Sequence, residues 1–328
     1  MKRALLLALA GWALVVAGCG GDSGTSPEPQ LDLVPPTSPR QLIRERFSDG
    51  EVVLTWAAPA DSDWTHFTVY RADAGDRFVS LENTSEMRFQ DRGLDYETDY
   101  SYYVTATDQQ GNESQPSNSV NGQPLNTVPP LTPVSLRAVA HNIPILARLD
   151  ILLDWGANGE ADLAQYRIYR GTRDDFESSA VVAAVDEPRY EDENIDVGQR
   201  YYYWITAVDK GDKESPASLA ATDVALDLPL LQGPIEGNTT SATPVFQWER
   251  VPEALSYQVI VTTSPTSGEI SAIPPTGNTS INFQGRLLDG GERAELEIGE
   301  VYYWKVITST QPNGVENSVS AVESFKVQ

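Results

Sequence analysis

One cysteine and two histidines are all that 328 residues contain. A disulfide framework needs cysteines in pairs, and zinc sites built from four cysteines, or from two cysteines and two histidines, lack their ligands. Basic residues are scarce too: 23 lysines and arginines face 47 acidic residues, a net charge of -24. A field of that sign repels phosphate backbones instead of releasing their counterions, which excludes nucleic acid as a partner. No Gly-rich phosphate loop and no Gly-x-Ser-x-Gly nucleophile elbow occurs. With 24 glycines and 22 prolines the chain is neither collagen-like nor wholly disordered, and its length accommodates two or three domains.

The N-terminus reads as an address. Lys2 and Arg3 precede an apolar run from Ala4 to Val16, too short to span a bilayer but of the length of a secretory signal core. The run ends in Val16-Ala17-Gly18-Cys19, small residues directly before the only cysteine. This stretch resembles the lipobox of bacterial lipoproteins. The resemblance implies that residues 1–18 are removed as a signal peptide and that acyl chains on Cys19 anchor the protein in a membrane. Gly20 and Gly21 follow, with no aspartate beside the cysteine, which in that family favours the outer membrane of the cell envelope. Residues 19–36, rich in Gly, Ser, Pro and acids, read as a flexible tether.

Past the tether the sequence repeats. Tyr100, Tyr201 and Tyr302 recur at a fixed spacing, and the same spacing pairs Phe89 with Tyr190, Asp91 with Asp192, Tyr102 with Tyr203, Val104 with Ile205 and Ser117 with Ser218. Val34-Pro35-Pro36 matches Val128-Pro129-Pro130 at a shorter offset, so the second copy carries surplus residues, expected as a loop around His141 to Leu149. Within each copy apolar and polar residues alternate at period two: Val52, Leu54 and Trp56; Ile151, Leu153 and Trp155; Tyr257, Val259 and Val261. That is the pattern of half-buried strands. Three domains follow, at 37–126, 127–227 and 228–328, each of a size for a seven-stranded sandwich. Prolines at 129, 130, 133, 229 and 234 favour short, stiff joints between them.

Trp56, Trp155 and Trp248, the pairs Tyr70-Arg71 and Tyr169-Arg170, and the run Leu94-x-Tyr96-x-Thr98-x-Tyr100-x-Tyr102-x-Val104-x-Ala106 together resemble the fibronectin type III family. The resemblance implies an all-β chain of three tandem immunoglobulin-like sandwiches in a semi-rigid rod. It also implies structural roles: Tyr100, Tyr201 and Tyr302 as tyrosine corners, and the three tryptophans as core fillers. The third copy departs from the pattern, lacking a Tyr-Arg pair after Tyr257 and inserting residues through Gly285 to Glu295.

Candidate sites are few. Lys210-Gly211-Asp212 sits where some animal relatives carry an integrin-binding tripeptide, but Gly-Asp is also what a tight turn wants. Trp64 could stack on a sugar; its spacing from Trp56 equals that of Leu163 from Trp155, so it reads as a core-edge residue. Asp174-Asp175, Glu191-Asp192-Glu193 and Asp95 to Asp99 lack the ligand spacing of a dedicated calcium loop and read as solvated turns and charged strand edges. His66 and His141 fall in different copies, and Cys19 is far from both. The sequence therefore offers no catalytic residue, no metal site, no cofactor and no identifiable ligand-binding residue. The expected function is a non-catalytic binding or adhesion module of the cell envelope with a protein or polysaccharide partner. The alternative is a structural spacer or accessory subunit of a larger envelope, secretion or polymer-degrading complex.

Overall fold

The computed structural model describes residues 32–74, 77–283, 295–312 and 315–328. The expected signal peptide, Cys19, the tether up to residue 31 and most of the insertion at 285–295 lie outside the described residues.

Three pairs of sheets follow one another along the chain. In the first unit β1 (Arg40–Ser48), β2 (Glu51–Ala57), β3 (Trp64–Asp73), β4 (Val79–Thr84), β5 (Arg88–Arg92), β6 (Tyr100–Asp108) and β7 (Val120–Gly122) form sheets ordered β1-β2-β5 and β4-β3-β6-β7. The second unit repeats this with β8 (Val134–Ile143), β9 (Arg148–Gly156), β10 (Leu163–Gly171), β11 (Ala180–Val185), β12 (Arg189–Asp192), β13 (Arg200–Asp209) and β14 (Ala221–Val224), ordered β12-β9-β8 and β11-β10-β13-β14. The third unit opens with β15 (Leu231–Gly233), β16 (Asn238–Thr240), β17 (Val245–Trp248), β18 (Ser256–Thr262) and β19 (Glu269–Ala272). It closes with β20 (Ser280–Asn282), β21 (Val301–Ser309), β22 (Ser318–Val319) and β23 (Glu323–Val327). Its sheets are β15-β17-β20 and β19-β18-β21, with β22 and β23 both on β21 and β16 parallel to β23. Each unit is thus a sandwich, and the chain is all-β apart from two single 3-10 turns among the described residues.

Period-two alternation places one face of each strand inside. Val52, Leu54 and Trp56 from one sheet meet Phe67, Val69, Tyr102 and Val104 from the other. Ile151, Leu153 and Trp155 meet Tyr166, Ile168, Tyr203 and Ile205, and Phe246 and Trp248 meet Tyr257, Val259, Trp304 and Val306. Each side chain so buried contributes about 1.5–3 kcal/mol.

The surplus at 141–149 is not a loop. His141, Asn142 and Ile143 pair with Asp150, Leu149 and Arg148, and the chain reverses over Pro144–Leu146 with Ala147 in the left-handed region. Continued pairing satisfies backbone groups that a loop would leave to water. It also carries the tip of this hairpin to the third unit, where Ser318 of β22 lies opposite Asn142 of β8, so that sheets of two units join at their edges.

Candidate functional site

The positions marked by the repeat build three nearly equivalent polar cores. The hydroxyls of Tyr100, Tyr201 and Tyr302 accept the backbone N–H five residues upstream, from Asp95 at 3.0 Å, Asp196 at 3.2 Å and Glu297 at 3.2 Å. Trp56, Trp155 and Trp248 are buried against the rings of Phe67, Tyr166 and Tyr257, with centroids 5.5, 5.2 and 5.5 Å apart. Among the described residues none of the three indole N–H groups finds an acceptor, and apolar packing holds the rings.

The Tyr-Arg pairs have a partner that was not read from the sequence. Arg71 Nη1 donates to Asp91 at 2.9 Å and Tyr102 donates to the same oxygen at 2.9 Å, while the guanidinium lies 5.4 Å from the Tyr100 ring centre. Arg170, Asp192, Tyr203 and Tyr201 repeat this at 2.7, 2.9 and 4.9 Å. Burial first, and then the aspartate, push the Tyr102 and Tyr203 hydroxyls far above the ordinary phenol range. Asp192 is therefore not part of a solvated turn: it is 2% exposed at the end of β12, between exposed Glu191 and Glu193. The recurrence of Asp91 and Asp192 in the repeat was the signal for this cluster. On the outer face Tyr70 and Thr105 donate to Glu113, and burial with that bond takes the Tyr70 hydroxyl up to about 12.

The remaining candidates separate. Trp64 is half-buried and packs on Phe67 at 4.6 Å. Asp174, Asp175, Asp95 and Asp99 are exposed. His66 meets the Thr65 hydroxyl at 3.0 Å, and His141 pairs across strands with Asp150 at 2.8 Å while Arg148 holds the other Asp150 oxygen. Among the described residues no hydroxyl or thiol approaches the His141 ring to complete a nucleophile pair. Lys210-Gly211-Asp212 forms a turn against the first unit: Lys210 Nζ donates to Gly93 O at 2.9 Å, and Lys210 N to Asp162 O at 2.8 Å. All three residues are exposed, with the Lys210 side chain held by the first unit.

Both joints are hydrogen-bonded. At the first, the Asp49 carboxylate accepts from Thr127 N at 2.7 Å, Val128 N at 3.1 Å and the Thr127 hydroxyl; Tyr96 donates to Asp162, and Lys213 Nζ to Thr127 O at 2.8 Å. At the second, Asn317, 2% exposed, accepts from Leu226 N at 2.8 Å and donates to Val224 O at 2.9 Å, Asn142 donates to Leu226 O at 2.9 Å, and Arg200 pairs with Glu253. Beside the second joint is a cavity of about 650 Å³. Pro144 and Ile145 of the β8–β9 tip, Leu228 of the joint, Ile260 of β18 and Val319 and Val322 near β22 give it apolar walls, with Lys305 and Glu269 among its lining charges. This volume is of the size that takes small ligands. The prolines marked where the joints fall, but the bonds across them and the cavity were not legible in the sequence, because their residues are brought together from different units.

The fold and these cores define a class, a tandem array of β-sandwiches. Within it, residues 37–123 match the family model of the fibronectin type III domain. A curated relative is Exoglucanase B of Cellulomonas fimi, 28% identical over 201 residues; the match takes in 58% of this chain and 17% of the exoglucanase. Among solved structures, the chicken CNTN1 FN1-FN3 domains are 14% identical with a TM-score of 0.41, covering 89% of this chain and 98% of that one. A two-domain fibronectin type III segment from chicken tenascin is 18% identical with a TM-score of 0.30, covering 57% and 99%.

Proposed function

We propose that this chain is a non-catalytic, lipid-anchored lipoprotein of the bacterial cell envelope, held at the outer membrane through Cys19, that works as a braced spacer or accessory subunit. The observation that carries the reading is that both joints are bonded through side chains, Asp49 and Tyr96 at one, Asn317 and the Arg200–Glu253 pair at the other. A flexible string of binding modules has no need of buried amide clamps between them, whereas a spacer that keeps distance and direction does. The partial likeness to an exoglucanase supports a place in a polymer-degrading assembly. A binding or adhesion role is the second reading, and the cavity beside the second joint favours it.

Two measurements on one chain test this. Membrane fractionation of Cys19→Ala should move the protein from the membrane pellet to the soluble fraction. In that soluble form, spin labels at the pairs Met87/Val181 and Val181/Ile298, all exposed positions, should each give one narrow distance distribution. Broad distributions would end the spacer reading, and retention of the Cys19→Ala chain in membranes would end the anchor.

A further inference from the structure

Four buried side-chain oxygens lack a hydrogen-bond partner among the described residues, and all four lie in or against the stretch 126–131 that links the first two units: Asn126 Oδ1, Asn158 Oδ1, Glu160 Oε2 and Asp209 Oδ2. All are acceptors. Asp209 is 1% exposed, and its other oxygen takes Asn126 Nδ2 at 3.0 Å, Gly211 N at 2.8 Å and Lys213 N at 2.8 Å. Asp162, 3% exposed, stands just before Leu163, the residue opposite Asp209 in the β10–β13 register. Neither carboxylate makes an ion pair among the described residues: Lys210 Nζ is taken by Gly93 and Asp95, and Lys213 Nζ by Thr127. Of the other buried acids, Asp91 and Asp192 are paired with arginine, Asp150 with Arg148 and Glu51 with Arg46 and Arg92, whereas Asp108 and Asp223 have their oxygens bonded by backbone or amide N–H groups. Buried charges are otherwise paired or bind metals.

The same place in the first unit is built alike. By the repeat offsets Asp32, Asp63 and Asp108 correspond to Asn126, Asp162 and Asp209, and oxygens of those three carboxylates lie within 4.8 Å of one another. In the first unit Asn112 donates to Asp108 Oδ2 at 2.8 Å; its counterpart Lys213 turns away to Thr127, which leaves Asp209 Oδ2 without a donor. Backbone approaches closely around the second copy. A Cβ on Gly211 would lie 2.1 Å from Asn126 Nδ2, and one on Gly50 2.6 Å from Asp162 Cβ.

We propose that Asn126, Asp162 and Asp209 form a Ca²⁺ site that locks the first joint. All-oxygen donors with two carboxylates and a side-chain carbonyl suit a hard divalent cation, with water completing the six to eight ligands that calcium takes. The ion ties the linker, through Asn126, to the second unit, and Tyr96 of the first unit holds Asp162 in place. The site stands independently of the spacer reading, because its test reads metal binding directly.

The experiment is terbium titration of the full chain after removal of the signal peptide, with emission excited through nearby tyrosine and tryptophan and competed by Ca²⁺. Wild type should show saturable emission, and Asp162→Asn and Asn126→Ala should each weaken it about tenfold or more, with far-UV circular dichroism unchanged. Asp32→Asn should leave that phase intact. The proposal is overturned if wild type gives no saturable emission, which would mean that water fills the site. It is equally overturned if both variants bind as wild type does, or if Asp32→Asn alone removes the signal.

Discussion

Arg170, Asp192 and Tyr203 show how one set of backbone positions can be filled by either of two chemistries. In the third unit Val261, Phe283 and Trp304 occupy the corresponding places, all in the core. There the Trp304 indole donates to Pro234 O at 2.6 Å instead of to an aspartate. A buried ion pair replaced by packed apolar residues of similar volume is often neutral, whereas removing one partner strands a charge. Asp192→Ala should therefore destabilise the second unit by about 3–5 kcal/mol. Replacing all three residues by Val, Phe and Trp should cost well under that, as measured by urea unfolding. Equal losses would show that the cluster is more than an interchangeable core.

At the scale of the element, the last strand of each unit is completed by serine. Where Pro116 and Pro216 interrupt backbone donation, Ser117 and Ser218 each give their N–H to the neighbouring strand and accept the returning N–H on the hydroxyl, from Val104 at 3.1 Å and Ile205 at 3.0 Å. Ser114 and Ser215 do the same for Ala106 and Ala207, both at 2.9 Å, and Ser320 for Val306 at 3.0 Å. Short side-chain bonds stand in for a ladder that proline breaks. Ser218→Ala leaves the buried Ile205 N–H unpaired, a loss of about 1–3 kcal/mol. Amide hydrogen exchange should show Ile205 opening faster while Ala207, still held by Ser215, keeps its protection. Unchanged exchange at Ile205 would show that its N–H does not depend on the hydroxyl.

Across the whole molecule the two joints differ in chemistry, and pH separates them. Burial acts to raise the Asp49 carboxyl, but hydrogen bonds from Thr127 and Val128 outweigh it and hold the group below the ordinary range. A carboxyl lowered in the folded state stabilises the fold above its unfolded value, about 3.9, and loses that contribution as pH falls through its folded value. The second joint rests mainly on neutral groups, the Asn317 side-chain amide and the Asn142 backbone N–H that donates to Asn317 O. As pH falls below about 3.9 the Met87/Val181 distance distribution should broaden reversibly while Val181/Ile298 stays narrow, with the strand signal in circular dichroism retained. Simultaneous broadening at both joints would show that Asp49 is not what holds the first.

Alternation and repetition made the strands, the three cores and the positions of Tyr100, Tyr201, Tyr302, Trp56, Trp155 and Trp248 legible, because a strand's in-or-out pattern and a unit's spacing are local properties of the chain. Asp192 was misread for the same reason. Three adjacent acids look solvated until the pleat turns only the middle one inward, toward an arginine 22 residues away. The surplus at 141–149 could be counted, but its paired hairpin and its reach to Ser318 depend on another unit. Asn126, Asp162 and Asp209 carry no recognisable spacing, and neither do the walls of the cavity. Charge pairing, orphaned oxygens and cavities are relations between distant segments, and only the tertiary structure decides which segments meet.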